Sequence, residues 1–464
     1  MSSDDREITM NTLRLHHLTS VWAFSSRIGA IAITWCTLVF MSSPSAFAQD
    51  APADETWAIH GQFTNITQGH PHFAAAYSGK NSLSTNGRNE ETTDLTLFAG
   101  VSLWRGAELW LNPEIDQGFG FDNTVGMAGF PNGGAYKVGA NLPYLRIPRA
   151  FIRQAISLGD AEEIREAAAN QLAGSQSVNN LTLTVGKFAV VDVFDTNRYA
   201  HDPRADFLNW AIIEGGAFDY AADSWGYTLG AAAEWTQDWW TLRGGVFRLS
   251  AVPNGKVVGF DFRQNSVILE AEQRHQWRGH PGKVKLLAFV NRGDMAGYAD
   301  AVHLGLATSS TPDVALVRRF SSRPGLVLNV EQELTSAIGA FARLSSNRGG
   351  KETFEFADIN QAVSAGLSIQ GDAWGRHDDT LGIAAAVNRI SGAAQAYFAA
   401  GGLGVQVGDG RMNYAPEQIQ ETYYSWRSSP HSTVTLDYQH VDHPAYNQDR
   451  GPVSIYGVRL HAEF

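Results

Sequence analysis

The sequence predicts an all-β protein: a transmembrane antiparallel β-barrel of about sixteen strands, with one loop folded into its lumen. Three observations carry that prediction. Extended segments with one apolar and one polar face recur from Trp57 to Phe464, the period-two signature of strands that separate two media. No stretch after residue 48 approaches eighteen consecutive apolar residues, so no helix is long and greasy enough to span a bilayer. The chain also opens with an export signal and carries no cysteine beyond it.

That signal occupies residues 1–48. Arg27 precedes an apolar run from Ile28 to Met41, "SSPS" breaks it, and Ala46-Phe47-Ala48 supplies a small-x-small cleavage site. The run falls short of the ~20 residues of a membrane helix. The stretch before Arg27 is long, so the start is either Met1 or Met10. Cys36 lies inside the signal and lacks a lipoprotein context, so no disulfide staples the exported chain. A short periplasmic segment, 49–56, leads into the barrel, 57–464. The export signal contains three acids and three arginines, so its loss leaves the net charge at −12, which argues against a nucleic-acid partner. Glycine is abundant, 46 of 464, above the ~7% average.

The elements follow in order. "TTDLTLFAGVSLW" sets Leu95, Leu97, Ala99, Val101 and Leu103 against Asp94, Thr96, Gly100 and Ser102. After a tight turn at Arg105-Gly106, "AELWLNPEID" sets Leu109, Leu111 and Ile115 against Glu108, Trp110, Asn112, Glu114 and Asp116. "RAFIRQAISL" sets Ala150, Ile152, Ile156 and Leu158 against Arg149, Arg153 and Ser157. "YTLGAAAEW", "KVKLLAFVN" and "LVLNVEQEL" repeat the pattern, and the chain closes with Tyr456, Val458, Leu460, Ala462 and Phe464 opposite Gly457, Arg459, His461 and Glu463. Sixteen such segments fall near 57–67, 92–104, 107–117, 147–158, 180–188, 226–236, 239–249, 265–275, 283–291, 325–334, 338–346, 361–370, 380–388, 417–427, 432–441 and 453–464. An even number is what a single-chain bacterial barrel has, with both termini on the periplasmic side.

Two patterns support that topology. Links after even strands are short, as at 105–106, 237–239, 276–282 and 427–432. Links after odd strands are long, as at 68–91, 118–146, 189–225, 292–324 and 389–416. The exception is 159–179, a long, helix-prone periplasmic insertion with no assignable role. Of the eleven tryptophans after residue 48, eight (Trp57, Trp104, Trp235, Trp239, Trp240, Trp277, Trp374, Trp426) fall at periplasmic strand ends. Barrels carry such aromatic girdles where a ring can be buried while its N–H stays wet. A soluble sandwich offers no reason for that clustering. Phe464, a terminal aromatic behind alternating apolar residues, resembles the signal by which outer-membrane barrels are recognised for assembly.

The polar face looks into the lumen, so it holds the candidate constriction. Glu108, Trp110, Asn112 and Glu114 come from the third segment, and Arg149 and Arg153 from the fourth. Opposed charges on a lumen wall set up a transverse field that penalises ions, while hydroxyls can exchange water for charged partners. An aromatic beside them suits a sugar, which has an apolar C–H face and a hydroxyl edge. The block "FAVVDVFDTNRYAHDPRADFLNW", 188–210, adds Asp192, Asp195, Arg198, Asp202 and Arg204. It lies in the third long loop, the one expected to enter the lumen. Its interleaved arginines would repel a metal cation, and no metal is expected. No G-x-S-x-G, H-E-x-x-H, Walker or dinucleotide pattern occurs.

The blocks "NPEIDQGFG" (112–120), "FPNGGAYKVG" (130–139), "PYLRIPRAF" (143–151), "DVFDTNRYAHDPRADFLNW" (192–210), "GAFDYAADSWGYT" (216–228) and "DRGPVSIYGVRLHAEF" (449–464) resemble the carbohydrate-selective porins of the OprB type. The resemblance implies a Gram-negative outer-membrane barrel, without cofactor, that passes monosaccharides and polyols passively. It also implies that Glu108, Trp110, Arg149, Arg153 and the 192–210 block form the narrowest region. With only Gln49 to Thr56 ahead of the first strand, cell-wall anchoring through an extra module is not expected. The partners implied are small neutral sugars, outer-membrane lipids and the barrel-assembly machinery, as a monomer or a homotrimer. Two alternatives stay open: a general porin or one for another small solute such as an aromatic acid, and an outer-membrane barrel enzyme.

Overall fold

The computed structural model describes residues 54–464, apart from 137, 260 and 357; the expected signal, 1–48, lies outside the described residues. Eighteen strands follow one another: β1 (Trp57–His70), β2 (Arg88–Trp104), β3 (Ala107–Gly118), β4 (Ala140–Ser157), β5 (Glu162–Arg165), β6 (Gly174–Ser177), β7 (Asn180–Phe188), β8 (Thr228–Gln237), β9 (Trp240–Arg248), β10 (Asn265–Trp277), β11 (His280–Met295), β12 (Arg319–Thr335), β13 (Ile338–Asn347), β14 (Gln361–Gly371), β15 (Arg376–Arg389), β16 (Glu417–Ser429), β17 (Ser432–Asp442) and β18 (Val453–Glu463). All but β5 and β6 form one closed barrel in which neighbours in sequence are neighbours in the sheet, β4 pairing directly with β7. Closure joins β1 to β18, antiparallel, from Gln62 opposite Glu463 to Gly69 opposite Tyr456. Phe464 extends that pairing by exchanging two backbone bonds with Gly61 (2.7 and 2.9 Å). Its ring lies where a Cβ on Gly61 would stand, 2.2 Å from the nearest ring atom, so position 61 must be bare.

The sixteen expected strands are the sixteen barrel strands, and their faces are sorted as the alternation requires. Leu109, Leu111 and Ile115 are exposed on the outside while Trp110, Asn112, Glu114 and Asp116 are buried inside. The same inversion holds on β18, where Tyr456, Val458 and Leu460 are exposed and Arg459 is fully buried. Trp57, Trp104, Trp235, Trp239, Trp277, Trp374 and Trp426 stand exposed around the short-turn rim, the boundary girdle of a membrane barrel.

Two differences from the sequence reading have physical causes. Several strands run further on the long-loop side, β2 from Arg88, β4 from Ala140 and β12 from Arg319. Beyond the lipid belt the outer face no longer has to be apolar, so "RNEETT" and "RFSSRP" lose the alternation while keeping the ladder. The insertion 159–179 is also not helical. It forms the hairpin β5–β6, because helix propensity is a weak prior that tertiary contacts override. Arg165 ties the hairpin by donating to Gln176 and Gln171 (both 2.6 Å) and reaching toward Glu108 on β3 (3.7 Å).

The core sits inside the lumen. The segment between β7 and β8 folds inward, carrying the short helix Trp210–Ile213, and its aromatic residues pack on the inner wall. Phe207 meets Tyr423 (4.9 Å between centroids) and Phe341 (5.5 Å), Phe218 meets Phe289 (5.1 Å), and Trp210 stacks on Phe130 (5.0 Å). Inward strand charges satisfy the loop's backbone. Arg343 donates to the carbonyls of Ala200, Ile212 and Asp195 (2.8, 2.9 and 3.0 Å). Arg459 donates to those of Pro203, Asp206 and Ala205 (2.7, 2.7 and 2.8 Å). Buried backbone groups need such partners, and here they come from the wall itself.

Candidate functional site

The wall of β2, β3 and β4 carries two charged clusters, one above the other along the lumen. Register decides which residues meet: Glu108 lies opposite Arg153, Asn112 opposite Arg149 and Glu114 opposite Arg146. Arg146 and Arg149 are three residues apart and would face opposite sides of a regular strand. A register shift between Asn112 and Glu114 inserts an extra residue into β4 and turns both inward.

The upper cluster is where the in-folded loop meets this wall. Arg146 pairs with Glu114 and Asp116, both side chains fully buried. Glu114 also accepts from Thr96 (2.6 Å), and Asp116 from the Tyr136 hydroxyl (2.7 Å). Arg149 forms a bidentate pair with Asp192 of the in-folded loop (2.7 and 2.8 Å). Arg204, from the same loop, reaches Asp94 (3.2 Å) and, more distantly, Glu114 (3.9 Å) and Asp202 (3.9 Å). Each guanidinium thus has a carboxylate behind it, which fixes its orientation. Aromatic rings surround these cations: Arg146 lies 5.0 Å from the centroids of both Tyr136 and Tyr227, and Arg149 4.9 Å from Tyr227. A cavity of about 70 Å³ opens here, lined by Tyr136, Arg204, Trp210, Tyr220, Trp225 and Tyr227 among others. The buried Trp210 Nε1 has no hydrogen-bond partner among the described residues.

The lower cluster lies at the periplasmic mouth. Glu108 accepts from Trp110 Nε1 (2.8 Å) and Arg153 (2.5 Å), and Arg153 also donates to the carbonyl of Asn170 in the insertion (2.5 Å). Leu172 of the insertion is buried, and the backbone of Glu55 and Ala173 is joined at 3.0 Å. The hairpin therefore lies across this end of the wall, bounding a cavity of about 940 Å³. Trp110 is fully buried, its ring occupying the space where a Cβ on Gly100 would stand.

The predicted residues thus divide. Glu114, Arg149, Asp192, Asp202 and Arg204 come together in the upper cluster. Glu108, Trp110 and Arg153 meet under the hairpin. Asn112 sits between the clusters, fully buried, with both amide atoms unpartnered among the described residues. Asp195 and Arg198 turn to the opposite wall. Asp195 is a buried anchor, accepting from Gly215 N (2.6 Å), Asn329 (2.7 Å) and Arg343 (3.2 Å). Arg198 is largely exposed and pairs with Glu333 (3.2 Å). Within the loop, His201 and Glu214 lie 3.6 Å apart. Burial, then Arg343, lowers the histidine, while burial, then Asp195, raises the glutamate well above the carboxylate range. Both shifts favour the uncharged forms of the two groups.

Arg146, Tyr136, Trp225 and Tyr227 were not among the predicted site residues. Arg146 precedes the apparent start of its strand, and its inward turn depends on the bulge beside Pro113 and Pro148. The aromatic residues sit in loops, where no periodicity says what they approach.

No curated protein matches the chain in sequence. Among solved structures the high-pH form of Pseudomonas putida OprB is similar, with a TM-score of 0.68 and 14% identity, covering 88% of this chain and 94% of that one. The low-pH form of the same protein gives a TM-score of 0.48 at 12% identity (88% and 93%). The outer-membrane channel DcaP of Acinetobacter baumannii gives 0.47 at 10% (88% and 97%). The profile of the carbohydrate-selective porins matches residues 80–464. With its closed sixteen-stranded barrel and its in-folded loop, the chain belongs to the OprB family of carbohydrate-selective porins, passive channels of the Gram-negative outer membrane.

Proposed function

We propose that this channel passes monosaccharides and polyols one at a time through the eyelet of Glu114, Arg146, Arg149, Asp192, Asp202 and Arg204. The observation that carries the reading is the pairing of three arginines with acids behind them and tyrosine and tryptophan rings beside them. Carboxylates and guanidiniums held on one narrow section give an ion no neutral path, since each sign meets its own kind as well as its opposite. A sugar exchanges its water hydrogen bonds for charge-assisted ones to these groups and sets its C–H face on Tyr136, Trp225 or Tyr227. Binding stays weak enough for release, as conduction demands. No chemical step is required, and selectivity rests on width, field and stacking.

The test is single-channel conductance of the refolded protein in a planar bilayer, with glucose, xylose, glycerol and benzoate titrated in turn. Saturable block by a neutral sugar is the expected result. Block by benzoate alone would make the arginines an anion site, and current untouched by every solute would remove selective binding from the eyelet.

A further inference from the structure

The outer surface of the barrel carries a feature that conduction does not use. At the long-loop ends of β9, β10 and β11, arginines stand on the lipid-facing side. The outward residues of β9 run Leu242, Val246, Arg248, and those of β11 run Leu286, Ala288, Val290, Arg292. Arg248 and Arg292 both pair in register with Asn265 of β10, so they lie at one height, two strand spacings or about 10 Å apart. Arg263, just before β10, extends the group upward. Among the described residues Arg248 and Arg292 have no ion-pair partner, and the Nε of Arg248 has no hydrogen bond. Two exposed phenyl rings accompany them: Phe262 lies 5.0 Å from the Arg248 guanidinium and Phe320 lies 5.5 Å from that of Arg263.

Height relative to the membrane follows from the tryptophan rim. Trp277 pairs with His280 at the short turn, and Arg292 lies ~40 Å further along β11, about 30 Å of it along the membrane normal at the usual strand tilt. The apolar band of such barrels is ~25 Å tall, so these arginines stand just above its outer edge, at the depth of the outer-leaflet headgroups. Two acids share the patch. Asp294 pairs with Arg263 at 3.3 Å, and Asp261 accepts the Arg263 backbone N–H at 3.0 Å, leaving Arg248 and Arg292 uncompensated. The far wall differs in sign: its outward long-loop positions are Glu91 on β2 and Asp442 on β17. Arg389 of β15 also faces outward at its long-loop end, opposite Gln361, but here two arginines share one height, and in a chain of net charge −12 such a pair is placed to meet an anion in the membrane.

We propose that Arg248, Arg263 and Arg292, with Phe262 and Phe320 beside them, form a docking site for the phosphate groups of the outer-leaflet glycolipid. The guanidiniums take the phosphates through charge-assisted, bidentate hydrogen bonds, and the phenyl rings of Phe262 and Phe320 hold the Arg248 and Arg263 guanidiniums in place by cation–π contact. The site fixes one face of the barrel against a lipid and leaves the pore untouched.

Native mass spectrometry of the refolded barrel in detergent tests this, with bis-phosphorylated glycolipid added in one arm and the same glycolipid stripped of its phosphates in the other. The wild-type protein retains the phosphorylated form, and the variant Arg248→Gln/Arg263→Gln/Arg292→Gln loses at least tenfold in retention while its conductance and sugar block stay the same. Equal retention by the variant, or equal retention of the dephosphorylated lipid, overturns the proposal. A change in oligomeric mass without loss of lipid would also overturn it, placing these arginines between barrels. Should the triple variant fail to refold, Arg292→Gln alone is compared, together with a salt titration of wild type. Retention then has to fall as screening rises; retention indifferent to both rules the site out.

Discussion

Glu108 and Glu114 stand six residues apart on the same strand, each with an arginine directly opposite in register. Yet the two pairs have become different things. Around Glu114 and Arg146 the partners are Asp116, Thr96 and the rings of Tyr136 and Tyr227, and the in-folded loop brings Arg204 and Asp192 alongside. Around Glu108 and Arg153 the partners are Trp110, Arg165 and a backbone carbonyl of the hairpin. Identical pairing chemistry gives a pore wall where a loop brings aromatics and counter-charges. It gives a latch where a hairpin covers it. The lesson is that an inward charge on a barrel strand acquires its role from the element laid over it.

The sharpest way to break the comparison is Arg146→Ala. Glu114 and Asp116 would be left buried without their cation, and removing one partner of a buried ion pair costs about 3–5 kcal/mol. The expected outcome is a lower midpoint in urea unfolding followed by the loss of heat-modifiable migration, and weakened sugar block in whatever folds. A variant with wild-type stability would mean that the two acids are not held as carboxylates by Arg146.

Next in size is removal of the hairpin. Its ends already meet, Leu158 N donating to Asn179 O at 2.8 Å, so an Asn-Gly turn can join β4 to β7 directly. With the mouth uncovered, conductance should rise about two-fold while sugar block keeps its concentration dependence, because block depends on the narrowest site. A loss of block on excision would move the recognition site from the eyelet to the mouth.

How much of this was legible in the sequence follows from the same contrast. The strands were readable wherever lipid lay outside them, because only there does the outer face have to be apolar: Leu109, Leu111 and Ile115 announce β3. Above the belt that demand lapses, and the long-loop ends of β2, β4 and β12 carry no signal. Glu114 and Arg149 could be assigned to the lumen by counting in twos. Arg146 could not, since a bulge changes the count and nothing in "LRIPRAF" states where the extra residue sits. Asp195 and Asp192 read alike in one acidic loop, yet one is a buried anchor for Arg343 and the other pairs with Arg149, a distinction made only by which wall each faces. The hairpin was misjudged because "AEEIREAAAN" has local helix propensity, whereas its fold is set by contacts to Glu108, Arg153 and Glu55.

A smaller effect separates the two arginines of β4 that the sequence placed side by side. Arg149→Ala should raise cation preference and weaken sugar block, since it frees Asp192 at the eyelet. Arg153→Ala should leave reversal potentials and block unchanged and instead add flicker to the open-channel current, as the hairpin loses its bond through Asn170. Measurement of both variants under a salt gradient decides. A matching shift in the two would merge the clusters into one filter.

The smallest expected effect is the most discriminating. An aromatic residue on a sugar channel's wall invites assignment as a stacking platform, and Trp110 is such a residue. Its surroundings argue otherwise. The ring is fully buried, it fills the space over Gly100, and its one polar atom is spent on Glu108 at 2.8 Å. No face is left for a sugar. Trp110→Phe keeps a ring over Gly100 and removes that hydrogen bond to a carboxylate, so stability should fall by about 1–3 kcal/mol. Glucose block should not move at all. Tyr227→Phe, at the eyelet, should do the reverse: the phenol lies 3.5 Å from Arg149, at the limit of a hydrogen bond, so its loss costs little stability, while a sugar hydroxyl loses a partner and block weakens. If Trp110→Phe weakens block as much as Tyr227→Phe does, the covered cluster takes part in recognition and the hairpin must open during transport.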